Sequence, residues 1–258
     1  MTAPPTRRVS HGKGHSYFLD GAKEIGVTTA LGEGFPKPAL INWAARTTAS
    51  YAVDHWDELD EMSVTERYRV LEKARYADRD EAGNAGTQVH KLAQALATGA
   101  EVEVPEHLEG HVDAYLKFVE EWQVQELLHE VVVVNRRFRY MGTLDVIGDL
   151  ADKRRWLLDF KTARSGVFAE NALQLAGYRN AETYIGADGE EHPMPKVGQC
   201  GVVWIRSDGY DLFPLEASDE EFRIFLYALG IARWRASQYP DATVIGEALE
   251  SPVKGVLL

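Results

Sequence analysis

The stretch GTLDVIGDLADKRRWLLDFKTARSG, residues 142–166, constrains this chain more than any other, because charged residues interrupt two apolar runs. Asp145 lies in the first run, and Asp159 and Lys161 lie in the second. Ionised side chains rarely occupy apolar strands unless they are paired or bind a metal, since removing water from a charge is costly. The stretch therefore predicts a hairpin whose charged residues have a partner.

Alternation along the second run places Asp159 and Lys161 on one face of a strand. If the two runs pair antiparallel about the ADKR turn, Asp145 can lie across from Asp159 and Lys161, and two carboxylates this close repel unless a cation lies between them. Oxygen ligands favour Mg²⁺ or Mn²⁺. Lys161 would then stabilise charge on an attacking water or a phosphoryl transition state. The alternative for a DxK pattern is an ordinary salt bridge at a strand edge.

The composition excludes several other kinds of site. Cys200 is the one cysteine among 258 residues, which excludes an internal disulfide, a cysteine-ligated zinc site and a four-cysteine iron–sulfur cluster. No apolar run approaches the ~20 residues that span a bilayer, and the first residues lack the apolar stretch of a secretory signal. We expect a cytoplasmic protein without a membrane partner.

A formal net charge of −12 argues against attraction to nucleic acid by the whole surface, but a local basic groove remains compatible with it. Two basic clusters occur, NRRFRY at 135–140 and DKRR at 152–155. Arg136, Arg137 and Arg139 are therefore candidate DNA-binding residues. The alternative is that both clusters are solvated strand ends and turns.

The first half of the chain is predicted to be helical. Residues 1–20, rich in Pro, Arg, His and Gly, are expected to form a flexible arm. Pro38 is suited to the first turn of a helix, and Ser63 with Glu66 forms a capping box that begins another. A third helix is expected to begin near Gly86. The fourth is predicted from about residue 105 to 122.

The apolar period then changes from helical to strand-like. We predict strands at 130–140, 142–150 and 154–162, a helix at 169–185, strands at 199–207 and 210–216, and a closing helix at 218–237. This order predicts an α/β (α+β) fold with helices flanking a central mixed sheet. The domains are expected to be a helical part at 21–104, a core at 105–240 and a tail at 241–258.

Three short motifs accompany the charged hairpin. GTQVH places His90 four residues after Gly86, and GTLD places Asp145 three residues after Gly142, where glycine lets the backbone pass close to a ligand. QLAGY places Gln174 and Tyr178 at i and i+4, where both could reach one phosphate. The alternatives are a packed helical histidine and a half-exposed helix face.

The series GxxxH at 86–90, GxxD at 142–145, DxK at 159–161 and QxxxY at 174–178 resembles the RecB-like branch of the PD-(D/E)xK nucleases. The resemblance covers residues 86–205. The segment at 27–55 is similar to CRISPR-associated-type exonucleases encoded by actinobacterial phages. The resemblance as a whole implies a restriction-endonuclease-like core in α-β-β-β-α-β order with an N-terminal helical extension.

The resemblance also implies a role for each matching residue. The metal ligands would be His90, Asp145, Asp159 and the backbone carbonyl of Phe160. Lys161 would be catalytic together with Asp145 and Asp159, Gln174 and Tyr178 would orient the DNA strand, and Glu130 would support the site from outside it. Related CRISPR-associated nucleases and the helicase-linked nuclease AddB bind an iron–sulfur cluster through four cysteines, which this chain lacks.

The activity that the resemblance implies is Mg²⁺- or Mn²⁺-dependent hydrolysis of DNA by an exonuclease, in phage-type recombination, repair or replication. Its partners would be DNA and either further copies of the chain or a recombination or helicase protein. A structure-selective or restriction-type endonuclease with the same site is an alternative. A catalytically inactive DNA-binding protein on a nuclease fold is another.

Overall fold

The computed structural model describes residues 6–12, 14–97, 102–238 and 244–248, except for the side chains at 76–85, 87, 90, 93, 94 and 97. The helices in this part are α1 (Val27–Gly34), α2 (Pro38–Asp54), α3 (Trp56–Glu61), α4 (Val64–Ala97), α5 (Glu106–Glu121), α6 (Glu170–Arg179) and α7 (Asp219–Ser237). The strands are β1 (Arg7–His11), β2 (Gly14–Leu19), β3 (Ala22–Gly26), β4 (Gln125–His129), β5 (Val132–Asn135), β6 (Tyr140–Thr143), β7 (Val146–Asp149), β8 (Arg155–Lys161), β9 (Thr183–Ile185), β10 (Glu191–Pro193), β11 (Gln199–Arg206) and β12 (Gly209–Pro214).

A five-stranded mixed sheet in the order β12-β11-β8-β7-β4 forms the centre of the fold. β8 and β11 are parallel, and the other neighbours are antiparallel. Phe160 on one face of β8 packs against Tyr115 of α5, with ring centroids 4.8 Å apart. Leu157 on the opposite face lies in the core formed with α6 and α7. The predicted α/β fold, a mixed sheet with helices on its faces, is confirmed.

A second sheet has the order β1-β2-β3-β6-β5-β9-β10. It corrects the prediction that residues 1–20 form a flexible arm, because β1 and β2 fill most of that range. Tyr17 and Leu19 alternate in β2 and are 5% and 0% exposed, so this hairpin has its own buried face. The Pro, Arg, His and Gly content misled the prediction, because the apolar alternation is confined to a few residues.

The helical boundaries agree with the sequence at several points. α2 begins at Pro38, and the Ser63–Glu66 capping box is present, with the Glu66 backbone N–H donating to Ser63 Oγ at 3.3 Å and the Ser63 backbone N–H donating to Glu66 Oε2 at 3.2 Å. The separate helix expected near Gly86 is corrected, since α4 runs through that position without a break. A glycine inside a helix lowers its stability without ending it.

The strands before Asp145 also differ from the prediction. The range 130–140 was predicted as one strand, but it contains β5, a tight turn and the first residue of β6. Two features form the turn. The Asn135 side chain accepts a hydrogen bond of 2.7 Å from the Phe138 backbone N–H, and Arg139 has a φ of 54°. The short strands β4, β9 and β10 were not expected, and the helix predicted at 169–185 is corrected, since α6 ends at Arg179 and β9 follows it. The β7–β8 hairpin, its turn at 151–154 and α5 confirm the sequence expectations.

No helix among the described residues is both long and apolar enough to cross a membrane. The predicted tail at 241–258 lies outside the described residues apart from 244–248.

Candidate active site

The two aspartates of the hairpin lie level with each other at one end of the central sheet. Val146 pairs with Leu158 in the antiparallel ladder of β7 and β8, so Asp145, one residue earlier, is level with Asp159. Asp145 occupies the link between β6 of one sheet and β7 of the other. Its Oδ2 accepts a hydrogen bond of 2.8 Å from the Phe160 backbone N–H. The fold therefore directs both carboxylates into one region.

Asp159 is 2% exposed and is held from two sides. Gln174 of α6 donates a hydrogen bond of 2.7 Å from Nε2 to Oδ1, and Lys161 Nζ lies 2.7 Å from Oδ2. Apart from this ammonium, no hydrogen-bond donor reaches the buried Oδ2 within the described part of the chain. An acceptor with free lone pairs is available for another ligand.

The two carboxylates in this region repel each other. Burial, followed by the nearby Asp159 carboxylate, raises the pKa of Asp145 to about 7, although the Phe160 N–H and Lys161 oppose the change. Placing two carboxylates together in a poorly solvated site disfavours the state in which both are ionised. A cation bound between them would remove that repulsion.

Lys161 remains a cation in the same site. Burial favours the neutral amine, but the charge and contact of Asp159 outweigh it, and the pKa of Lys161 is raised overall. Its side chain is 30% exposed. A protonated lysine can stabilise negative charge but cannot act as a general base.

Gln174 and Tyr178 lie behind Asp159, away from solvent. They are 8% and 3% exposed, and Gln174 Nε2 lies 3.4 Å from the Tyr178 hydroxyl. A Cβ at Gly142 would come within 2.6 Å of the Tyr178 ring. This glycine therefore makes room for the tyrosine, whereas its position in GTLD had suggested room for a ligand. The burial of both side chains does not favour the predicted contact with DNA.

The GxxxH motif brings α4 to the end of β8. A Cβ at Gly86 would lie 2.8 Å from Oγ1 of Thr162, the residue after Lys161. Val89, three residues further along the helix, is 1% exposed. The His90 side chain lies outside the described residues, so its predicted metal contact remains a prediction. The structure does bring the start of its motif beside the hairpin.

The other predicted residues have different positions. Glu130 is exposed, its backbone N–H donates to the Asp145 carbonyl at 2.7 Å, and its charge adds slightly to the raised pKa of Asp145. Arg136 and Arg139 lie in the β5–β6 turn, at the opposite end of that hairpin from Asp145. The guanidinium of Arg137 in the same turn lies over the Phe138 ring, 5.1 Å from its centroid.

The arginines of this turn contact acidic side chains of the protein itself. Arg136 Nη1 donates to both carboxylate oxygens of Asp20 at 3.0 Å, and the same guanidinium contacts Glu191. Arg139 forms an ion pair with Glu24. These contacts support the alternative of structural turn residues for Arg136 and Arg139, and the structure does not bring them to the carboxylates.

Sequence reasoning missed Trp204, which borders the site. The parallel register pairs Trp204 of β11 with Lys161 of β8, so both side chains project from the same face of the sheet. The indole Nε1 donates to the Ala163 carbonyl at 2.9 Å, which fixes the loop after Lys161. Alternation along a strand gives the face that a residue shares with its neighbours, but no sequence signal gives the register of a parallel pair.

The residues present fit a hard divalent cation. Asp145 and Asp159 supply carboxylate oxygens, one of them buried with only the Lys161 ammonium beside it among the described residues, and burial together with the Asp159 carboxylate raises the pKa of Asp145. No set of three or more histidine, cysteine or acidic side chains is arranged for a metal among the described residues, which do not include the His90 side chain. Mg²⁺ commonly uses one or two carboxylates and retains water.

No family model matches this chain, and no curated protein matches it. Among solved structures, the chain is similar to the one described as "Crystal structure of SSO0001", with 12% sequence identity and a TM-score of 0.30. The match covers 59% of this chain and 70% of that chain.

Proposed function

We propose that this protein is a Mg²⁺- or Mn²⁺-dependent deoxyribonuclease of the RecB-like PD-(D/E)xK type, acting as an exonuclease. One observation carries the proposal. A buried Asp159, whose Oδ2 has the Lys161 ammonium as its one partner among the described residues, lies level with Asp145 at the end of a mixed sheet. A structural salt bridge at a strand edge does not require a second carboxylate beside it.

The order of elements supports the same proposal. Along the central sheet and its helices the chain runs α5, β4, β7, β8, α6 and β11. This is the α-β-β-β-α-β order that the resemblance implies for the nuclease core. β5 and β6, with β9 and β10, are insertions that belong to the second sheet.

Each side chain has a distinct part in the proposed reaction. Asp145 and Asp159 would hold the cation, with His90 and the Phe160 carbonyl as the further ligands that the resemblance implies. When bound, a divalent cation supplies Lewis-acid charge that lowers the pKa of water and neutralises the scissile phosphate. Lys161, held protonated by Asp159, stabilises the negative charge that develops on phosphorus oxygens during attack.

Gln174 and Tyr178 act on the site through Asp159. The Gln174 amide fixes Oδ1, which leaves Oδ2 directed toward Lys161. Tyr178 fills the space over Gly142 and keeps α6 at its distance from β6. Both are positioning residues in this proposal.

The test uses purified protein with DNA labelled at its ends, as linear duplex, linear single strands and closed circles, with Mg²⁺, Mn²⁺ or EDTA. We expect release of label from linear DNA in the presence of either metal and no cleavage of circles. The matched control is Asp159→Asn, which keeps the shape and the acceptor for Gln174 but removes the charge. Cleavage that persists in EDTA or in this variant would contradict the proposed site.

The same assay separates the alternatives. Nicking or linearisation of closed circles indicates an endonuclease at the same residues. Binding of DNA without cleavage under any metal indicates a DNA-binding protein on a nuclease fold.

A further inference from the structure

An exposed apolar stripe runs along α7, on the side away from the core. Tyr227, Ile231 and Trp234 are 64%, 47% and 58% exposed at positions i, i+4 and i+7. The opposite side of the same helix is fully packed, with Phe225 and Leu229 at most 1% exposed. Three large apolar side chains at helical spacing on a well-packed helix form a continuous surface.

A notch lies in the middle of this stripe. Gly230 falls three residues after Tyr227 and four before Trp234, so it shares their face. A Cβ at Gly230 would meet no atom of the described chain within 4 Å, its own helix backbone apart. Glycine weakens a helix interior relative to alanine. Its presence at an open position, between two aromatic side chains, favours close approach of another chain segment.

Residue 244, the next described residue after Gln238, contacts the end of the same face. Gln238 continues the stripe, four residues after Trp234 and seven after Ile231. Its side-chain oxygen accepts a hydrogen bond of 3.1 Å from the Val244 backbone N–H. Val244 and Ile245 are themselves 65% and 75% exposed. Thus the segment that leads to residues 249–258 is attached to the stripe's own helix face.

Residues 249–258, LESPVKGVLL, have the length and composition to cover the stripe. Five of the ten residues are leucine or valine. Ten residues reach at most ~33 Å when extended, whereas the stripe from Tyr227 to Gln238 is ~16 Å long. A stable interface with a second copy needs ~800 Å² from each partner, which is more than three side chains and a glycine provide. A short apolar strand of chain suits this surface better.

We propose that residues 249–258 fold back along α7 and seat an apolar side chain in the notch at Gly230, so that the stripe is the docking site of the chain's own tail. The proposal is independent of the nuclease activity.

The first experiment measures access to the stripe in the full chain. Ile231→Cys is labelled with an uncharged maleimide, and Cys200, 3% exposed, gives the slow background rate. The tail carries either Val253→Asp with Leu257→Asp or, as the matched control, Ser251→Asp with Gly255→Asp, which adds the same charge at non-apolar positions. Compared with Ile231→Cys and an unaltered tail, we expect labelling to be at least fivefold faster with the first pair and to be unchanged with the control pair. Ala236→Cys, on another exposed face of α7, should label at one rate throughout.

The second experiment fills the notch. Gly230→Lys replaces a poor helix former in open space, so its melting temperature should rise if the face is free and fall if the tail occupies the notch. Equal labelling rates in all three tails, or a raised melting temperature, would overturn the proposal. Labelling protection that disappears on hundredfold dilution would also overturn it, because a second copy would then cover the stripe.

Discussion

Gln174 on α6 donates a hydrogen bond of 2.7 Å from its side-chain amide to Oδ1 of Asp159 on β8. This bond connects a helix with a strand at a point where both side chains are almost fully buried. A carboxylate fixed at one oxygen presents the other in a constant direction, and groups that orient a metal ligand in this way typically change metal affinity or activity by 10–100-fold when removed.

Replacing Gln174 should therefore raise the metal requirement of cleavage. Gln174→Ala removes the donor, and we expect a midpoint for Mg²⁺ at least ~10-fold higher. Gln174→Glu should be worse, because it places a third carboxylate beside Asp159. The measurement is a metal titration of DNA cleavage for wild type and both variants, with circular dichroism to verify folding. An unchanged midpoint for Gln174→Ala would place the glutamine outside the function of the site.

Lys161 should be needed for activity and for balancing the charge of Asp159. Lys161→Met should abolish cleavage and lower stability by about 1–3 kcal/mol, because it leaves a buried carboxylate unpaired. Adding Asp159→Asn should restore the free energy of unfolding without restoring cleavage. Urea unfolding of the two single variants and the double variant measures this coupling. Additive effects on stability would show that the 2.7 Å ion pair has no energetic importance.

The charged hairpin was predictable from sequence because its parts are local. The ADKR turn joins two strands with little freedom of register. Alternation therefore placed Asp159 and Lys161 on one face of the second strand, and Asp145 across from them on the first strand. The capping box at Ser63 was predictable for the same reason. Each depends on residues that are neighbours in the chain.

The features that sequence patterns did not predict depend on distant contacts. An i, i+4 pair such as Gln174 and Tyr178 defines a helix face but not the direction in which α6 turns that face. Gly142 signals a close approach, but only the packed structure identifies the Tyr178 ring as the neighbour. The parallel partner of Lys161, Trp204, lies 43 positions later and has no sequence signal.

The pH dependence of stability should reveal Asp145. Its pKa in the folded protein is raised to about 7 from an ordinary value of 3.8. Between these two pH values the folded state holds a proton that the unfolded state has released, so the free energy of unfolding falls as the pH rises through this range. With EDTA present, we expect wild type to lose about 1–3 kcal/mol between pH 4.5 and pH 8 from this group.

Asp145→Asn provides the control for that measurement. The amide oxygen can still accept the Phe160 N–H, but no charge forms, so stability in EDTA should lack this loss and exceed that of wild type at pH 8. Mg²⁺ should stabilise wild type increasingly as pH rises toward 8 and should leave the variant unchanged. Parallel curves for the two proteins in EDTA would show that Asp145 ionises normally.

The arginines of the β5–β6 turn should contribute to stability more than to DNA binding. Arg136→Ala breaks contacts with Asp20 and Glu191, and we expect a loss of about 1 kcal/mol, the upper end for exposed pairs. The salt dependence of DNA binding should not change. Arg164→Ala, in the exposed loop after β8, should lower the log–log salt slope by about 0.9 if it contacts a phosphate of duplex DNA. Fluorescence anisotropy at several salt concentrations measures both slopes, and a reduced slope for Arg136→Ala would return it to the DNA interface.

The packing of α4 against the end of β8 should not tolerate an added side chain at Gly86. A Cβ there would lie 2.8 Å from Thr162 Oγ1, so Gly86→Ala should move the helix or the residue after Lys161. Misplacement by about 1 Å at such a site can reduce activity ~100-fold, and we expect a loss of at least ~10-fold in cleavage rate on that basis. Thr162→Ala removes the contacting oxygen, so Gly86→Ala with Thr162→Ala should recover most of the rate, while Thr162→Ala alone stays near wild type. A wild-type cleavage rate for Gly86→Ala alone would mean that the Thr162 side chain adopts another rotamer. The position of α4 would then not depend on this contact.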